Sequence, residues 1–406
     1  GDVFHKMGFA NKVTKILPVF ITVKSVVFVS KKYFAIFGGY QTSMRKLQYL
    51  SAFLILIASS SCTVGRFAYY NFANITDHKI FPSRTAHKGD SSFVYQNAAK
   101  PRFPKTFGYN GKTVPFDEYL EKNKTVAFLI IKNDSIHYEK YFNKYSRESV
   151  VASFSMAKSV TSILIGCAID DGLIKSVDEP MVNYIPELAH DGLEKVTIRH
   201  LLQMSSGIKF NESYVNPFGD AATYYYGRNL QKAMLKRKLE HEPGTDFAYS
   251  SGDTQLLGFV LQRALKGESI TAYLEEKLWK PLGMEYDATW SLDKKDGMEK
   301  TFCCINARAR DFAKIGTLYL NKGKWGNKQI VSQKWVEDST VSDLNGAANY
   351  KYQWWIPSPD GDYMAQGILG QYIYVNPAQD LVIVRLGENY GDDQWQELFL
   401  SLAKEL

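Results

Sequence analysis

The chain has 406 residues, 45% of them hydrophobic, which indicates a globular protein of one large or two conventional domains. Its formal net charge of +7 arises at the N-terminus, because residues 1–62 hold eight Lys or Arg and a single acid. Of the 49 basic and 42 acidic side chains in the whole chain, 41 of each lie after residue 62. The body is therefore neutral, and no nucleic-acid partner is predicted.

The N-terminal 62 residues are predicted to contain a targeting signal. Arg45 and Lys46 precede an apolar run over 50–58, and three serines then lead to Cys62. This order of basic, apolar and small residues over 44–62 resembles a bacterial lipoprotein signal, in which Cys62 is the lipidated first residue of the mature protein. We therefore expect a location in the bacterial cell envelope, periplasmic or on the outer-membrane side, with a lipid anchor in the membrane. A buried N-terminal helix is the alternative.

Residues 1–43 are expected to be an N-terminal extension that lies upstream of the true start at Met44. Lysines interrupt each of its apolar stretches before the ~20 residues that a membrane-spanning helix needs.

Metal and cofactor sites are not expected from the sequence. Beyond Cys62, the cysteines are Cys167, Cys303 and Cys304, too few and too unevenly spaced for a disulfide framework or a zinc site. The seven histidines lack the spacing of metal ligands, and no Gly-rich phosphate loop occurs. We predict no metal and no cofactor.

The rest of the chain divides into a segment over 63–105, interpreted as a tether or a wrapping segment, and a globular domain over 106–406. Both ends of the domain supply strands, and its middle, about 170–300, is dominated by helical patterns. We predict an α/β fold of the α+β type, an antiparallel sheet flanked by helices with an inserted, mostly helical region. The predicted strands are 126–132, 136–142, 371–375 and 381–386, and the predicted helices are 156–169, 198–204, 255–265, 270–278 and 395–402.

Ser155 and Lys158 form the first candidate catalytic pair. They open a long apolar helix, and residues i and i+3 share a helix face, so the ammonium of Lys158 can reach the Ser155 hydroxyl. If desolvation lowers the pKa of the lysine, its neutral amine becomes a base for the seryl proton. The tetrapeptide alone is a weak signal, because Ser-x-x-Lys also occurs at Ser43, Ser206, Ser291 and Ser401.

Tyr249 and Ser251 form the second element, in a turn over 242–251 ahead of the helix predicted from Gln255. A tyrosine beside a lysine ammonium ionises more easily and can pass protons to a leaving group. Taken alone, Tyr249 is one of 26 tyrosines, most of which pack in the core or at the surface.

Together these motifs resemble those of the penicillin-recognising, serine β-lactamase-like superfamily. Ser155-x-x-Lys158 and Tyr249-Ser250-Ser251 are similar to the Ser-x-x-Lys and Tyr-x-Asn motifs of class C β-lactamases, D-alanyl-D-alanine peptidases and related carboxylesterases. The resemblance covers about 115–406 and implies an acyl-serine enzyme with Ser155, Lys158 and Tyr249 as catalytic residues.

Within that superfamily, the chain more closely resembles the aminohexanoate-dimer (nylon-oligomer) hydrolase branch. The loop over 210–217 resembles the one that carries a substrate-closing tyrosine there, which implies a substrate-binding role for Tyr214. That branch also has serine where β-lactamases have asparagine, and Ser251 is the matching substrate-binding residue here.

The third motif of the superfamily, Lys-Thr-Gly or His-Thr-Gly, corresponds to Gly367-Ile368-Leu369-Gly370. This segment lacks the cation and the hydroxyl that hold a β-lactam carboxylate. By resemblance, Gly367 and Gly370 are predicted to contact substrate, and the N–H groups of Ser155 and Ile368 to form an oxyanion hole. The alternative is that the two glycines only shape an edge strand.

Hydrolysis of a small amide or ester substrate is therefore the leading functional hypothesis. A D-alanyl-D-alanine carboxypeptidase or β-lactamase has the same chemistry but is disfavoured by the missing third motif. A non-catalytic peptidoglycan-binding or sensor module is disfavoured because Ser155, Lys158 and Tyr249 are all present.

Overall fold

The computed structural model describes residues 63–70, 72–109, 111–341, 349–391 and 394–406. The predicted extension 1–43, the signal segment 44–62 and the lipidation of Cys62 lie outside the described residues. Within the part of the chain that is described, no helix is long and apolar enough to cross a membrane.

Strands are concentrated toward both ends of the described chain, and helices predominate in its middle. The α-helices in these residues are α1 (Thr63–Tyr70), α2 (Phe116–Lys122), α3 (Met156–Asp170), α4 (Ile198–Leu202), α5 (Asp220–Tyr226), α6 (Leu230–Met234), α7 (Ser251–Ala264), α8 (Ile270–Leu274), α9 (Ala309–Leu320), α10 (Gln333–Thr340) and α11 (Trp395–Glu405). The strands are β1 (Ser83–Ala86), β2 (Gln96–Asn97), β3 (Thr106–Tyr109), β4 (Lys112–Pro115), β5 (Thr125–Lys132), β6 (Ser135–Tyr141), β7 (Val151–Ala152), β8 (Ala288–Ser291), β9 (Ile305–Ala307), β10 (Lys324–Trp325), β11 (Lys328–Gln329), β12 (Tyr350–Lys351), β13 (Trp354–Trp355), β14 (Tyr363–Gly367), β15 (Gln371–Asn376) and β16 (Leu381–Gly387).

The main sheet has eight strands in the order β12-β13-β14-β15-β16-β5-β6-β2. Its strands pair antiparallel, except that β2 runs parallel to β6. The two predicted hairpins form its centre, because β16 from the end of the chain pairs with β5, with Ile383 opposite Ile130. Asn133 and Asp134 have φ angles of 49° and 54°, as a two-residue hairpin turn requires. The prediction of a sheet built from both ends of the domain is confirmed.

Helices cover both faces of this sheet. On one face, α9 approaches so closely that a Cβ on Gly316 would lie 2.8 Å from a methyl group of Ile373. On the other face, the ring of Phe399 in α11 packs on Tyr372 and Tyr374, at centroid distances of 5.4 and 5.5 Å. Since neighbouring residues of a strand point to opposite faces, β15 is buried on both sides.

The segment over 63–105 packs along the body wherever it is described. Arg66 of α1 donates a hydrogen bond to the Tyr226 carbonyl over 2.6 Å. Farther on, β1 pairs with β8 in a four-stranded sheet of order β1-β8-β9-β7 that the sequence did not predict. These contacts join the segment to the body through a side-chain hydrogen bond and through strand pairing.

A disulfide bond joins Cys303 to Cys304, while Cys167 is a buried free cysteine. The cysteine count argued against a disulfide framework and did not anticipate this bond between neighbours. Two adjacent cysteines need no long-range contact to pair, so counts and spacings carry little information about them. The bond lies just before β9, next to Phe302, whose backbone carbonyl faces the candidate site described below.

Candidate active site

Ser155 lies at the N-terminal end of α3, where backbone contacts hold it in place. The preceding Phe154 has a φ of 45°, a conformation that bulky residues seldom adopt. Ser153 fixes this turn, since its N–H donates to the Ile305 carbonyl over 2.8 Å and its hydroxyl accepts from the Ile305 N–H over 3.1 Å. Ser155 is therefore presented at a helix start, where backbone N–H groups have no partner inside the helix.

Lys158 reaches Ser155 as the i, i+3 spacing predicts. Its Nζ lies 3.1 Å from Ser155 Oγ and donates to the Phe302 carbonyl over 2.8 Å. The residue is 1% exposed. Burial lowers the pKa of Lys158 to about 8, although the nearby Glu212 carboxylate opposes this shift. An unprotonated amine is therefore accessible at Lys158 close to neutral pH.

Tyr249 lies beside the same lysine, with Lys158 Nζ 5.1 Å from its ring centroid and its hydroxyl in hydrogen-bonding range of Ser155. The expectation that Tyr249 ionises easily is wrong. Burial raises the pKa of Tyr249, and the Glu212 carboxylate raises it further, so the phenol stays neutral. The contact with Ser155 allows Tyr249 to act as a proton donor.

Ser251 joins the cluster at the start of α7. Its hydroxyl oxygen accepts a hydrogen bond from Lys158 Nζ over 3.1 Å. The helix predicted from Gln255 begins four residues earlier, at Ser251, because the Ser250 hydroxyl caps it by accepting from the Asp253 N–H. The cap sets the direction in which Ser251 enters the site.

Glu212 is a site residue that the sequence analysis missed. Its carboxylate accepts hydrogen bonds from the Ser251 hydroxyl over 2.6 Å and from the Tyr214 hydroxyl over 2.5 Å. Burial raises the pKa of Glu212, and the attraction of Lys158 partly offsets this effect. The sequence feature that could have indicated Glu212 is its position two residues before Tyr214, which was predicted to bind substrate. Tyr214 thus points at this carboxylate and joins the cluster through it.

The turn over 367–370 lies directly against Ser155. A Cβ on Gly367 would be 2.5 Å from the Ser153 carbonyl oxygen and 3.1 Å from the Ser155 nitrogen, so only glycine fits there without a shift. Ile368 follows, and its side chain packs against both hydrophobic clusters of the core. These contacts bring the backbone of the turn next to the Ser155 N–H, where the oxyanion hole is predicted.

Gly370 occupies a different environment from Gly367. Its φ is 79°, and a Cβ there would lie 1.8 Å from Nη1 of Arg385. The guanidinium donates to the carbonyls of Gly370 and Asn123 over 2.6 and 2.8 Å, and it stacks on Trp395. Gly370 therefore shapes the turn against Arg385, and its predicted contact with substrate stays a prediction.

An aromatic wall borders the cluster. The ring of Trp355 stacks on Tyr249 at a centroid distance of 5.7 Å, and Tyr350 meets Tyr249 edge-on at 6.2 Å. Trp355 and Tyr350 come from β13 and β12, at the edge of the main sheet. Among the described residues, no group of three His, Cys, Asp or Glu side chains is placed to hold a metal.

Comparison with known proteins agrees with this architecture. The family model described as Beta-lactamase matches residues 116–391. The chain is 27% identical over 293 residues to the 6-aminohexanoate-dimer hydrolase of Paenarthrobacter ureafaciens, covering 66% of this chain and 74% of that protein. It is 25% identical over 211 residues to a putative D-alanyl-D-alanine carboxypeptidase of Escherichia coli K12, covering 45% and 48% respectively.

Solved structures share the fold. A putative 6-aminohexanoate-dimer hydrolase from Bacillus anthracis superposes with a TM-score of 0.73 at 24% identity, covering 82% of this chain and 92% of that one. A family VIII carboxylesterase superposes with a TM-score of 0.57 at 16% identity, covering 72% and 97%. These likenesses confirm the predicted fold class.

Proposed function

Since the chain belongs to the β-lactamase family and is a serine hydrolase, we propose that it cleaves a small amide or ester through an acyl-enzyme on Ser155. One contact carries the assignment of Ser155. Its hydroxyl lies 3.1 Å from the amine of Lys158, which is buried and has a pKa lowered to about 8. A nucleophile paired with a base that is partly neutral near pH 8 is what acyl transfer to serine requires.

Ser155, Lys158 and Tyr249 each have a defined role in the proposed acylation step. Neutral Lys158 takes the Ser155 proton as the serine oxygen attacks the substrate carbonyl. The N–H groups of Ser155 and Ile368 stabilise the oxyanion, and the neutral phenol of Tyr249 donates its proton to the leaving group while regaining one from Lys158. Water then attacks the acyl-enzyme by the reverse transfers and releases the acid.

The turn over 367–370 supports a linear amide or ester as substrate rather than a β-lactam. The segment Gly367-Ile368-Leu369-Gly370, which corresponds to the third family motif, contains neither the cation nor the hydroxyl of that motif. Arg385 is a cation buried against this turn, but its guanidinium already donates hydrogen bonds to backbone carbonyls. A β-lactamase or D-alanyl-D-alanine carboxypeptidase activity is the second candidate. It is supported by the 25% identical relative from Escherichia coli K12 that is named a putative D-alanyl-D-alanine carboxypeptidase.

We also propose that the enzyme is a lipoprotein of the bacterial cell envelope. The proposal rests on the order of Arg45-Lys46, the apolar run 50–58, the three serines and Cys62. The chain then reaches the domain within residues 63–70, whose helix α1 packs on the body through Arg66 and Tyr226. Such an arrangement holds the domain close to a membrane surface.

A fluorophosphonate probe followed by peptide mass spectrometry tests the assignment. The wild type should carry one adduct on Ser155, and Ser155→Ala should carry none. Ser162→Ala is the matched control, because Ser162 lies on the same helix, is buried, and has no partner for its hydroxyl among the described residues. This variant should label like the wild type.

Substrate panels complete the test. Short-chain p-nitrophenyl esters and a linear dimer of 6-aminohexanoate should be turned over with a higher kcat/KM than a chromogenic cephalosporin. An adduct on another serine would contradict the assignment of Ser155. Efficient cephalosporin hydrolysis would contradict the substrate class and favour the second candidate.

A further inference from the structure

A chain of hydrogen bonds leads from Lys158 out of the catalytic cluster. Lys158 Nζ donates to Ser251 Oγ over 3.1 Å, and Ser251 Oγ donates to Glu212 Oε1 over 2.6 Å. The Ser251 N–H donates to the second carboxylate oxygen of Glu212 over 2.8 Å, which fixes the orientation of the carboxylate. The bonds form a continuous donor-to-acceptor path from the amine to the carboxylate.

The exposure of these residues changes along the path. Lys158 is 1% and Ser251 is 2% exposed, whereas Glu212 is partly exposed in the loop that precedes α5. A lysine so deeply buried has no direct contact with solvent through which to exchange protons. Any proton that leaves Lys158 for solvent therefore needs a neighbouring group that can carry it.

We propose that Glu212 is the proton acceptor of Lys158, acting through the hydroxyl of Ser251. This inference rests on the proposed function, because it assigns how the base of that mechanism becomes neutral. Glu212 does not touch the reacting atoms in this assignment. It is a positioning residue that sets the protonation of Lys158.

The transfer balances without any further reactant. One N–H bond of the Lys158 ammonium breaks as its proton moves to Ser251 Oγ, while the original Ser251 hydroxyl proton moves to Glu212 Oε1. An ammonium and a carboxylate thus become a neutral amine and a carboxylic acid, and the total charge stays the same. Rotation about the Cε–Nζ bond then turns the lone pair toward Ser155 Oγ, which is also 3.1 Å away.

Burial brings the pKa values of the two groups closer together. Burial is the largest influence on both groups, lowering the pKa of Lys158 and raising that of Glu212. Removing two charges from water is costly, so a desolvated ion pair is destabilised relative to its neutral form. Such a pair titrates as a unit.

Other titratable groups also face Glu212. They are Tyr214 from its own loop, Tyr249 and Asp253 around the start of α7, and Tyr350 of β12. Among these groups, Asp253 titrates within the pH range of the experiment below, since burial raises the pKa of Asp253 to about 7. Asp253 therefore provides the necessary control.

The pH profile separates this role from a purely electrostatic one. If Glu212 were only a fixed negative charge, Glu212→Gln would lower the pKa of Lys158 and move the acid limb of kcat/KM to lower pH. If Glu212 accepts the proton, it is a neutral carboxylic acid whenever Lys158 is the neutral base. Glutamine is also neutral, so in that case Glu212→Gln should leave the acid limb close to its wild-type pH.

The experiment measures kcat/KM for a p-nitrophenyl ester from about pH 5 to about pH 10 in four proteins. These are the wild type, Glu212→Gln, Ser251→Ala and Asp253→Asn. The acid limb is expected at the wild-type pH in Glu212→Gln and in Asp253→Asn, and Ser251→Ala, which lacks the relaying hydroxyl, should have a lower kcat/KM. A downward shift of the limb in Glu212→Gln overturns the proposal, because Glu212 would then be negatively charged in the active enzyme. A shift in Asp253→Asn overturns it as well, because the limb would then report Asp253 rather than Lys158.

Infrared difference spectroscopy gives a readout that does not depend on catalysis. The wild type minus Glu212→Gln spectrum near neutral pH should contain the carbonyl stretch of a protonated carboxylic acid. Absence of that band overturns the proposal even if the enzyme is active. Conversely, a missing adduct on Ser155 would contradict the proposed function while the band still reports on Glu212, so the two failures are distinguishable.

Discussion

Replacing Gly367 with alanine tests whether the turn over 367–370 supplies an oxyanion donor. The added Cβ would lie 2.5 Å from the Ser153 carbonyl oxygen, closer than real Cβ contacts occur. Ser153 cannot easily move away, because β9 holds both its N–H and its hydroxyl through Ile305. The turn must therefore move away from Ser155, and the N–H of Ile368 moves with it.

The expected cost follows from the loss of one donor. Removing one oxyanion-hole hydrogen bond lowers kcat by about 10²–10³, or about 2.7–4 kcal/mol of transition-state stabilisation. KM should change little, because the ground-state carbonyl is bound more weakly than the oxyanion. The thermal midpoint should fall by only a few degrees, since the shift is confined to one turn.

Steady-state kinetics with a p-nitrophenyl ester, together with the rate of fluorophosphonate labelling, measure this effect. Gly108→Ala is the matched control, because Gly108 lies in β3 and a Cβ there would have no atom within 4 Å. It should keep the wild-type kcat. A Gly367→Ala variant with a wild-type kcat and an intact fold would refute the assignment of an oxyanion donor to this turn.

Two further predictions concern the support of the turn and the anchor. Arg385→Met should lower the free energy of unfolding in urea by about 2–6 kcal/mol. The buried carbonyls of Gly370 and Asn123 lose their hydrogen-bond donor, and each unsatisfied carbonyl costs about 1–3 kcal/mol. An unchanged urea midpoint would contradict this prediction. Cys62→Ala should abolish lipid labelling in an expressing bacterium and release the protein from the membrane fraction, since each buried CH₂ adds ~0.8 kcal/mol of membrane affinity. If the variant stays with the membrane, residues 1–61 hold the protein there by another means.

Local sequence patterns were sufficient for the two central hairpins, for several helices and for the pairing of Ser155 with Lys158. The predicted strand 126–132 corresponds to Thr125–Lys132, and the predicted helix 156–169 to Met156–Asp170. Both depend on periodicities that neighbouring residues set. The contact between Lys158 and Ser155 is equally local, because one turn of helix brings i and i+3 together.

Contacts between distant segments were decided only by the tertiary structure. The Ser251 hydroxyl and the Phe302 carbonyl reach Lys158 from 93 and 144 residues away, and Glu212 lies 39 residues from Ser251. The neutral state of Tyr249 follows from burial, which no sequence motif encodes. The sequence by itself predicted the sheet and the pairing of Ser155 with Lys158, because these follow from local periodicity and family motifs. The folded chain determined which carboxylate faces the lysine, because only packing decides which charges lose water together.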